Sequence, residues 1–499
     1  MKFKNPIISG CYPDPSICRV GDDYYLVNSS FEYFPGIPVF HSKDLVHWNQ
    51  IGHCITRNSQ LTLRKGFPNC AGIFAPTIRY SNGIFYVITT NVAIGGEDDG
   101  NFFVWTKDPA GEWSDPVWLT FPGIDPSLFF DEDGKVYYTG TKEKIYVCEI
   151  DIQTGESKGE ATAIWGGSGG NDPEGPHMYH RDGWYYLFIS EGGTEYCHMI
   201  TVARSRDIYG PYEDCHRNPV LSNRSHCFPI KAVGHSDLVE DQNGNWWAVC
   251  LGIRTISYPF RHNLGRETML VPMYWDEEGW PVMGRDGLLD EVIETNLLPF
   301  VKDEVKSEEK TEKNIEETPY HFYDDFSAGK LDFAWNFIYN PVSEKESLAW
   351  IGHRQKHHDC KIQTKLCVTE LSEGEEAGLT IYMNPTHHYE IVRTKISGED
   401  CIIFRRQIGS LWKIEQVVAC EAKEMVFELL SQNNEYTFGY RLDTEEFITI
   451  GKGETDYLTT EVGGRFTGNY VALFASGNGK KCTNPVTYEW FEYESLEKE

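Results

Sequence analysis

Five stretches in the first 300 residues share one plan, and this repeat constrains the fold more than any other feature of the chain. They are PSICRVGDDYYLV from Pro15, PTIRYSNGIFYVI from Pro76, PSLFFDEDGKVYYTG from Pro126, PHMYHRDGWYYLFIS from Pro176 and SDLVEDQNGNWWAVC from Ser236. Each reads as a short apolar strand, a polar turn with glycine and an aromatic strand, which is a β-hairpin. The starts fall roughly every fifty to sixty residues, a period that suits a four-stranded unit. Further strand-like runs complete each unit: PVFHSKDLVHW, FFVWTKDPAGEWSDPVW, KIYVCEIDIQTGE, HMITVARSRDIYGPYE and RETMLVPMYWDEEGWPV. Helical periodicity is scarce. The pattern predicts an all-β chain whose residues 1–300 form a five-bladed β-propeller.

In a propeller the first strand of each blade lines the central channel, so the residues just before the repeats face one funnel. Those positions read Asp14, Ala75, Asp125, Gly175 preceded by Glu174, and His235. One acid before a proline is ordinary turn chemistry. Three acids at one repeat position point to a site. Prolines flank Asp14 on both sides and restrict the backbone around it.

Paired carboxylates across a bond are the standard equipment of glycoside hydrolysis: one gives a proton to the leaving oxygen, the other activates water or attacks. A third acid near the donor raises the donor's pKa by like-charge repulsion. Acids on opposite blades leave space for sugar and water, which favours inversion. Arg266, in HNLGRETML, offers hydrogen bonds to sugar hydroxyls or a surface ion pair. His235 shares the channel register with the acids. The glycines of WGGSGGNDPEGPH let the backbone bring Glu174 close to a substrate. AIGGEDDGN, residues 93–101, lacks EF-hand spacing and reads as an exposed acidic loop.

Residues 302–317 carry 11 charges in 16 positions, so 301–319 is a charged linker. Alternating runs such as GLTIYMNP and YVALFAS then predict a β-sandwich over 320–499. With 45 basic against 75 acidic residues the net charge is −30, which argues against a nucleic-acid partner and suits a neutral ligand. Aromatic residues make up 14%, compatible with sugar stacking or simply with all-β cores. The 14 cysteines form no close C-x-x-C pair. The N-terminal MKFKNPIISG lacks an apolar signal core, and no run reaches membrane-spanning length. The expectation is a cytoplasmic protein with reduced thiols and no membrane partner.

Taken together, NPIISGCYPDPSICRVGDDYYLVNSSFEYFPGIPVFHSKDLVHW, AGIFAPTIRY, GIDPSLFFDEDGKVYYTG, PEGPHMYHRDGWYYLFISEGGTEY, GHSDLV and LGRET resemble glycoside hydrolase family 43, its β-xylosidases and bifunctional β-xylosidase/α-L-arabinofuranosidases above all. The resemblance covers the whole chain. It implies a propeller, an inverting single displacement, Asp14 as general base, Glu174 as general acid and Asp125 as the acid that tunes and orients the donor. It matches Phe31, Phe74, Ala75, Thr194, His235 and Arg266 to the terminal-sugar pocket, and Phe466, in GRFTGNY, to a cap over it. Many relatives carry Trp-Ala-Pro where this chain has Phe74-Ala75-Pro76. The resemblance implies no required cofactor, although some relatives hold a divalent cation, often calcium, in the channel near the histidine that His235 matches. The expected activity is exo-hydrolysis of terminal β-D-xylose from short xylo-oligosaccharides or arabinoxylo-oligosaccharides, with α-L-arabinofuranose as a second substrate; a homo-oligomer is compatible with this. Rival readings are an arabinan-directed hydrolase, a non-catalytic sugar-binding propeller and an interaction propeller, the last lacking Gly-His and Trp-Asp repeats.

Overall fold

The structure is a computed structural model and describes residues 2–63, 68–93, 98–299, 320–339, 348–443 and 446–497. The charged linker 301–319 and the centre of the acidic loop 93–101 lie outside the described residues. Two compact units are present. The first runs from the N-terminus to Thr255 and resumes at Arg266; the second holds Ile256–Gly265 with the C-terminal region. The stretch 256–265, which sequence alone leaves inside the first region, thus clusters with the second. His262 Nδ1 lies 2.8 Å from Glu461 Oε1, and Asn263 Nδ2 donates to the Tyr436 hydroxyl at 2.8 Å, both within that second unit.

All five expected hairpins form. Ser16–Val20 pairs with Asp23–Val27, Thr77–Ser81 with Ile84–Val92, Ile124–Phe130 with Val136–Lys142, Glu174–Arg181 with Trp184–Glu191, and Ile230–Glu240 with Trp246–Arg254. Each hairpin continues into two further antiparallel strands, making five separate sheets. The first strands of successive sheets are neighbours, and Ile230–Glu240 lies beside Ser16–Val20, so the order is cyclic. At the N-terminus, Lys2–Lys4 pairs with Val292–Glu294 near the end of the same unit. Asn5 reinforces this, accepting from the Leu270 N–H at 2.8 Å and donating to the Leu270 carbonyl at 3.0 Å.

The second unit has two antiparallel sheets. One orders His321–Asp324, Val486–Ser495, Cys360–Val368, Glu424–Gln432, Glu435–Arg441 and Ile448–Glu454. The other contains, in order, Leu411–Ala419, Glu399–Ile408, His387–Ile396, Glu376–Asn384, Tyr470–Ser476, Leu348–Arg354 and Trp335–Ile338. Cys360–Val368 alternates buried with partly buried residues, which places one apolar face inward. Ile362 and Leu366 of one sheet share a core with Leu379, Ile381 and Phe404 of the other. None of the fourteen cysteines forms a disulfide. Among the described residues no helix is long and apolar enough to cross a membrane.

Candidate active site

The repeat position that singles out the acids also has a shared backbone conformation. Asp14, Asp125, Gly175 and His235 all sit at positive φ, between 52° and 59°. A non-glycine residue in this region costs about 1–2 kcal/mol, so the repeat holds strained backbone at equivalent places. In three sheets the ladder slips there: between Ile124 and Ser127, Glu174 and His177, and Gly234 and Asp237. These bulges re-aim the residues beside them. In the fourth repeat the left-handed slot is filled by Gly175, and the acid moves one place earlier, to Glu174. A Cβ at Gly175 would come within 3.0 Å of the His235 ring.

Asp14 is almost fully buried and held from several sides. Arg266 Nη1 donates to its Oδ1 at 2.8 Å, Nη2 approaches Oδ2 at 3.4 Å, and the Ser29 hydroxyl donates to Oδ2. Burial opposes its ionisation, but the Arg266 guanidinium, then His235 and Ser29, outweigh it and hold its pKa below the ordinary carboxylate value. The flanking prolines have help: Asn28 Nδ2 donates to the carbonyls of Tyr12 and Pro13, both at 2.9 Å.

Asp125 has the opposite surroundings. Its Oδ2 accepts the Gly175 N–H at 3.1 Å, and no cationic side chain pairs with it among the described residues. Burial pushes its pKa up; His235 offsets only part, the charges on Glu174 and Asp14 add to the rise, and the result is about 7. Glu174 faces His198, whose Nε2 lies 3.1 Å from Oε1. Burial would raise Glu174, but His198, then His235, more than offset it and lower its pKa. The expectation that a neighbouring acid raises Glu174 therefore falls on Asp125 instead, because His198 and His235 together outweigh burial at Glu174, whereas His235 offsets only part of it at Asp125.

Around these acids, Arg266 Nη1 also donates to Thr194 Oγ1 at 3.1 Å, and its guanidinium stands 5.6 Å from the Phe31 ring centre. Phe31 packs edge-on against Phe74 at 5.7 Å. Ala75 is buried beside Phe74. The expected pocket residues Phe31, Phe74, Thr194, Arg266 and Asp14 are thus linked by contact. His235 Nδ1 is 3.9 Å from Asp14 Oδ1, and the backbone N–H of His235 donates to Ser190 Oγ. Phe466 belongs to the second unit. The residues at His235 do not supply a cation with a set of three protein ligands, since Asp14 is already taken by Arg266 and Ser29. Among the described residues such a cluster exists only at Cys367, Glu424 and Glu489 in the second unit.

The glycine-rich loop before Glu174 has a different reason from the one the sequence suggests. Glu191, fully buried at the end of the next strand, accepts from the Ser168 N–H at 2.9 Å, Ser168 Oγ at 2.8 Å, the Gly170 N–H at 2.7 Å and Thr201 Oγ1 at 2.6 Å. A Cβ at Gly167 would lie 2.5 Å from Glu191 Oε1, and one at Gly170 2.8 Å from Glu191 Cβ. The glycines admit a buried carboxylate that folds the loop.

Two residues beyond each repeat position (Asp14, Ala75, Asp125, Gly175 and His235), the strands carry Ser16, Thr77, Ser127, His177 and Asp237, a second tier of the repeat. Asp237 is fully buried and accepts from Ser16 Oγ, the Ile17 N–H at 3.0 Å, Arg79 Nη1 at 2.7 Å and Nη2 at 3.1 Å, and the Tyr179 hydroxyl. Arg79 Nη2 reaches His177 Nδ1 at 2.8 Å. Burial drives the His177 pKa down to about 3. This hub joins four of the five sheets. Sequence reading missed it, along with Ser29, His198 and Glu191. The period-2 spacing from Asp14 to Ser16 and from His235 to Asp237 was the available signal for the hub. His198, Ser29 and Glu191 lie outside the repeat register and carried none.

Comparison with known proteins identifies the class. The profile of glycosyl hydrolases family 43 matches residues 3–281, and that of the β-xylosidase C-terminal concanavalin A-like domain matches residues 342–494. The chain belongs to glycosyl hydrolase family 43 and is a glycosidase. It is 39% identical to a non-reducing end α-L-arabinofuranosidase of Bacteroides ovatus, over 99% of this chain and 95% of the relative. It is 38% identical to a xylosidase/arabinosidase of Butyrivibrio fibrisolvens, over 99% of both. Among solved structures, a family 43 protein encoded in the Bacteroides ovatus xyloglucan locus aligns with a TM-score of 0.90 at 38% identity, covering 99% of this chain and all of that one. A xylan β-1,4-xylosidase from Bacillus halodurans aligns with a TM-score of 0.87 at 30% identity, with 99% and 100% covered.

Proposed function

We propose that the protein is an inverting, exo-acting glycosidase that releases terminal β-D-xylose, and also α-L-arabinofuranose, from the non-reducing ends of short xylo- or arabinoxylo-oligosaccharides. Its five sheets are read as the blades of a five-bladed β-propeller, a reading supported by their cyclic neighbour order. The second unit is read as a β-sandwich, supported by the core its two sheets share.

The observation that carries the mechanism is the opposed treatment of the buried acids. Asp14 is locked as its carboxylate by Arg266 and Ser29, as a base must be at working pH. It takes a proton from water as that water attacks the anomeric carbon. The strained backbone at Asp14 holds the carboxylate in place, so little reorganisation accompanies attack. Glu174 gives the proton to the departing oxygen. Asp125, held neutral more readily than an ordinary acid and bonded to the Gly175 N–H, orients the segment that carries Glu174. Phe31 and Phe74 offer apolar faces to the sugar.

Support for both sugars comes from the relatives, which include an arabinofuranosidase, a bifunctional enzyme and a xylosidase. Phe74, with less ring area than tryptophan and no N–H donor, suits a pocket that tolerates both. Proton NMR of the first product tests inversion: a β-xyloside should release α-xylose, and initial β-xylose would overturn the mechanism. Rates on 4-nitrophenyl β-xylopyranoside and α-arabinofuranoside test the substrate reading, and arabinan cleavage without xyloside turnover would replace it with an arabinan-directed hydrolase.

A further inference from the structure

Phe31 and Phe74 stand on two pieces of chain that meet in a strained bridge. The Phe31 N–H donates to the Ile73 carbonyl at 2.8 Å, and the Ile73 N–H donates to the Phe31 carbonyl at 3.0 Å. A Cβ at Gly72 would fall 2.3 Å from the Phe31 carbonyl oxygen, so this approach needs glycine there. Phe31, Cys70 and Gly72 all sit at positive φ, at 50°, 63° and 94°. For the two non-glycine residues that conformation is unfavourable, and it persists only where the surroundings enforce it.

Glu32, the residue after Phe31, supplies that enforcement. Its side chain is almost fully buried. The Cys70 N–H is shared between its Oε1 at 3.3 Å and its Oε2 at 3.2 Å, four residues before Phe74. No cationic side chain pairs with it among the described residues. Burial pushes its pKa up, backbone N–H groups offset only part of the rise, and the result is about 7. A buried carboxyl without a cation is costly, and Glu32 does not belong to the acids of the repeat. We propose that Glu32 is a positioning residue that sets the gap between Phe31 and Phe74, and through that gap the fit of the terminal sugar. This rests on the reading of Phe31 and Phe74 as walls of the terminal-sugar pocket.

The rest of each piece is fixed by other bonds. The Phe74 N–H donates to the Thr90 carbonyl at 2.9 Å, and Thr89 Oγ1 donates to the Phe74 carbonyl at 2.9 Å. On the Phe31 side, the Tyr33 N–H donates to the Ser30 carbonyl at 3.0 Å and the Ile37 N–H to Ser30 Oγ at 3.1 Å. These hold each piece to itself or to its own sheet. The backbone bonds at Ile73 and the Glu32–Cys70 bond tie one piece to the other, with the two rings edge-on at 5.7 Å. Of these ties only the Glu32 side chain can be removed by substitution with the backbone left intact. Its loss lets the strained turn at Cys70 relax and carries Phe74 away from its place against Phe31. A pyranose and a furanose differ in ring size and pucker, so a changed gap affects them unequally.

The test is KM and kcat on 4-nitrophenyl β-xylopyranoside and 4-nitrophenyl α-arabinofuranoside for Glu32→Gln and Glu32→Leu, on the acid side of neutrality. Glutamine keeps the length and the acceptor without a charge, so both constants should stay within about twofold of the wild type. Leucine fills the space but accepts nothing. Its KM should rise about tenfold while kcat stays within about threefold, and the ratio of the two KM values should change by about threefold or more. A purely structural role would lower thermal stability and leave that ratio where it is. An unchanged ratio in Glu32→Leu, or a Glu32→Gln variant as impaired as Glu32→Leu, would overturn the proposal. Should Glu32→Leu fail to fold, Glu32→Asp, one carbon short of Cys70, takes its place with the same expected split and the same overturning result. Phe74→Ala separates this inference from the reading it rests on. If that variant leaves both KM values unchanged, the pocket assignment fails. If it moves them while the Glu32 variants do not, only the role of Glu32 fails.

Discussion

Both units bury arginine against carboxylate, with different results. In the second unit Arg405 is matched on all sides: Glu376 takes two bonds at 2.9 and 2.8 Å, and Glu390 binds the Nε. Charges there are satisfied within one cluster. In the first unit Arg266 satisfies Asp14 and stops. Asp125 is left with a backbone N–H, and Glu174 with an imidazole. Where the repeat converges, two of the three acids have no arginine against them among the described residues. Matched burial makes a rigid scaffold, whereas unmatched burial shifts protons, and the shift is what an acid–base site needs.

The strongest way to break this contrast is at the two acids of the first unit that act on substrate. Asp14→Asn and Glu174→Gln should each lower turnover of xylobiose by about 10²–10⁴-fold, with circular dichroism unchanged; near-normal turnover by either would remove the roles assigned here. The matched cluster should answer in stability instead. Arg405→Ala leaves two buried carboxylates unpaired, which should cost about 3–5 kcal/mol in chemical denaturation, while the folded variant keeps kcat within about twofold. A large loss of kcat at full folding would mean the second unit's cluster is not purely scaffold.

A subtler comparison is by pH. Asp125 has a folded pKa of about 7 against an ordinary 3.8. Its contribution to stability is complete below the lower value and lost as pH rises through the upper one. Asp125→Asn lacks that dependence, so the variant should gain on the wild type in urea denaturation between pH 5 and pH 8, each unit of separation being worth about 1.4 kcal/mol at most. Asp14, lowered, works in the opposite sense, contributing stability above 3.8 that disappears as pH falls through its folded value. A constant difference between wild type and Asp125→Asn across that range would refute the unmatched state of Asp125.

The smallest effects compare two glycines of like backbone. Gly398, at φ 82° in a turn of the second unit, has no atom within 4 Å of a Cβ; Gly167, at φ 83°, would meet Glu191 at 2.5 Å. Gly398→Ala should cost only the left-handed backbone term, about 1–2 kcal/mol. Gly167→Ala should cost more and also lower kcat, because it disturbs the loop that leads to Glu174. Equal thermal shifts and unchanged kcat would show that Glu191 does not organise that loop.

Much of this was legible in the sequence, for local reasons. Alternation and glycine turns are properties of neighbouring residues, so all five hairpins of the first unit and the principal strands of the second could be marked from the chain alone. The repeat register then placed Asp14, Asp125 and His235, and brought Glu174 next to it, while the wider motifs pointed to Phe31, Thr194 and Arg266. What those groups do with protons was not legible. It depends on burial and on partners far away in the chain: Arg266 against Asp14 across 252 residues, Ser16 against Asp237 across 221. Nor did the chain reveal that 256–265 would cluster with the C-terminal region, or that the loop glycines make room for Glu191. The order of residues determined which acids share the repeat position, because strand period and turn position are written locally. Only the tertiary structure decided which of them has its pKa lowered, which has it raised and which stands against a histidine, because a pKa is set by desolvation and by charges brought near through space.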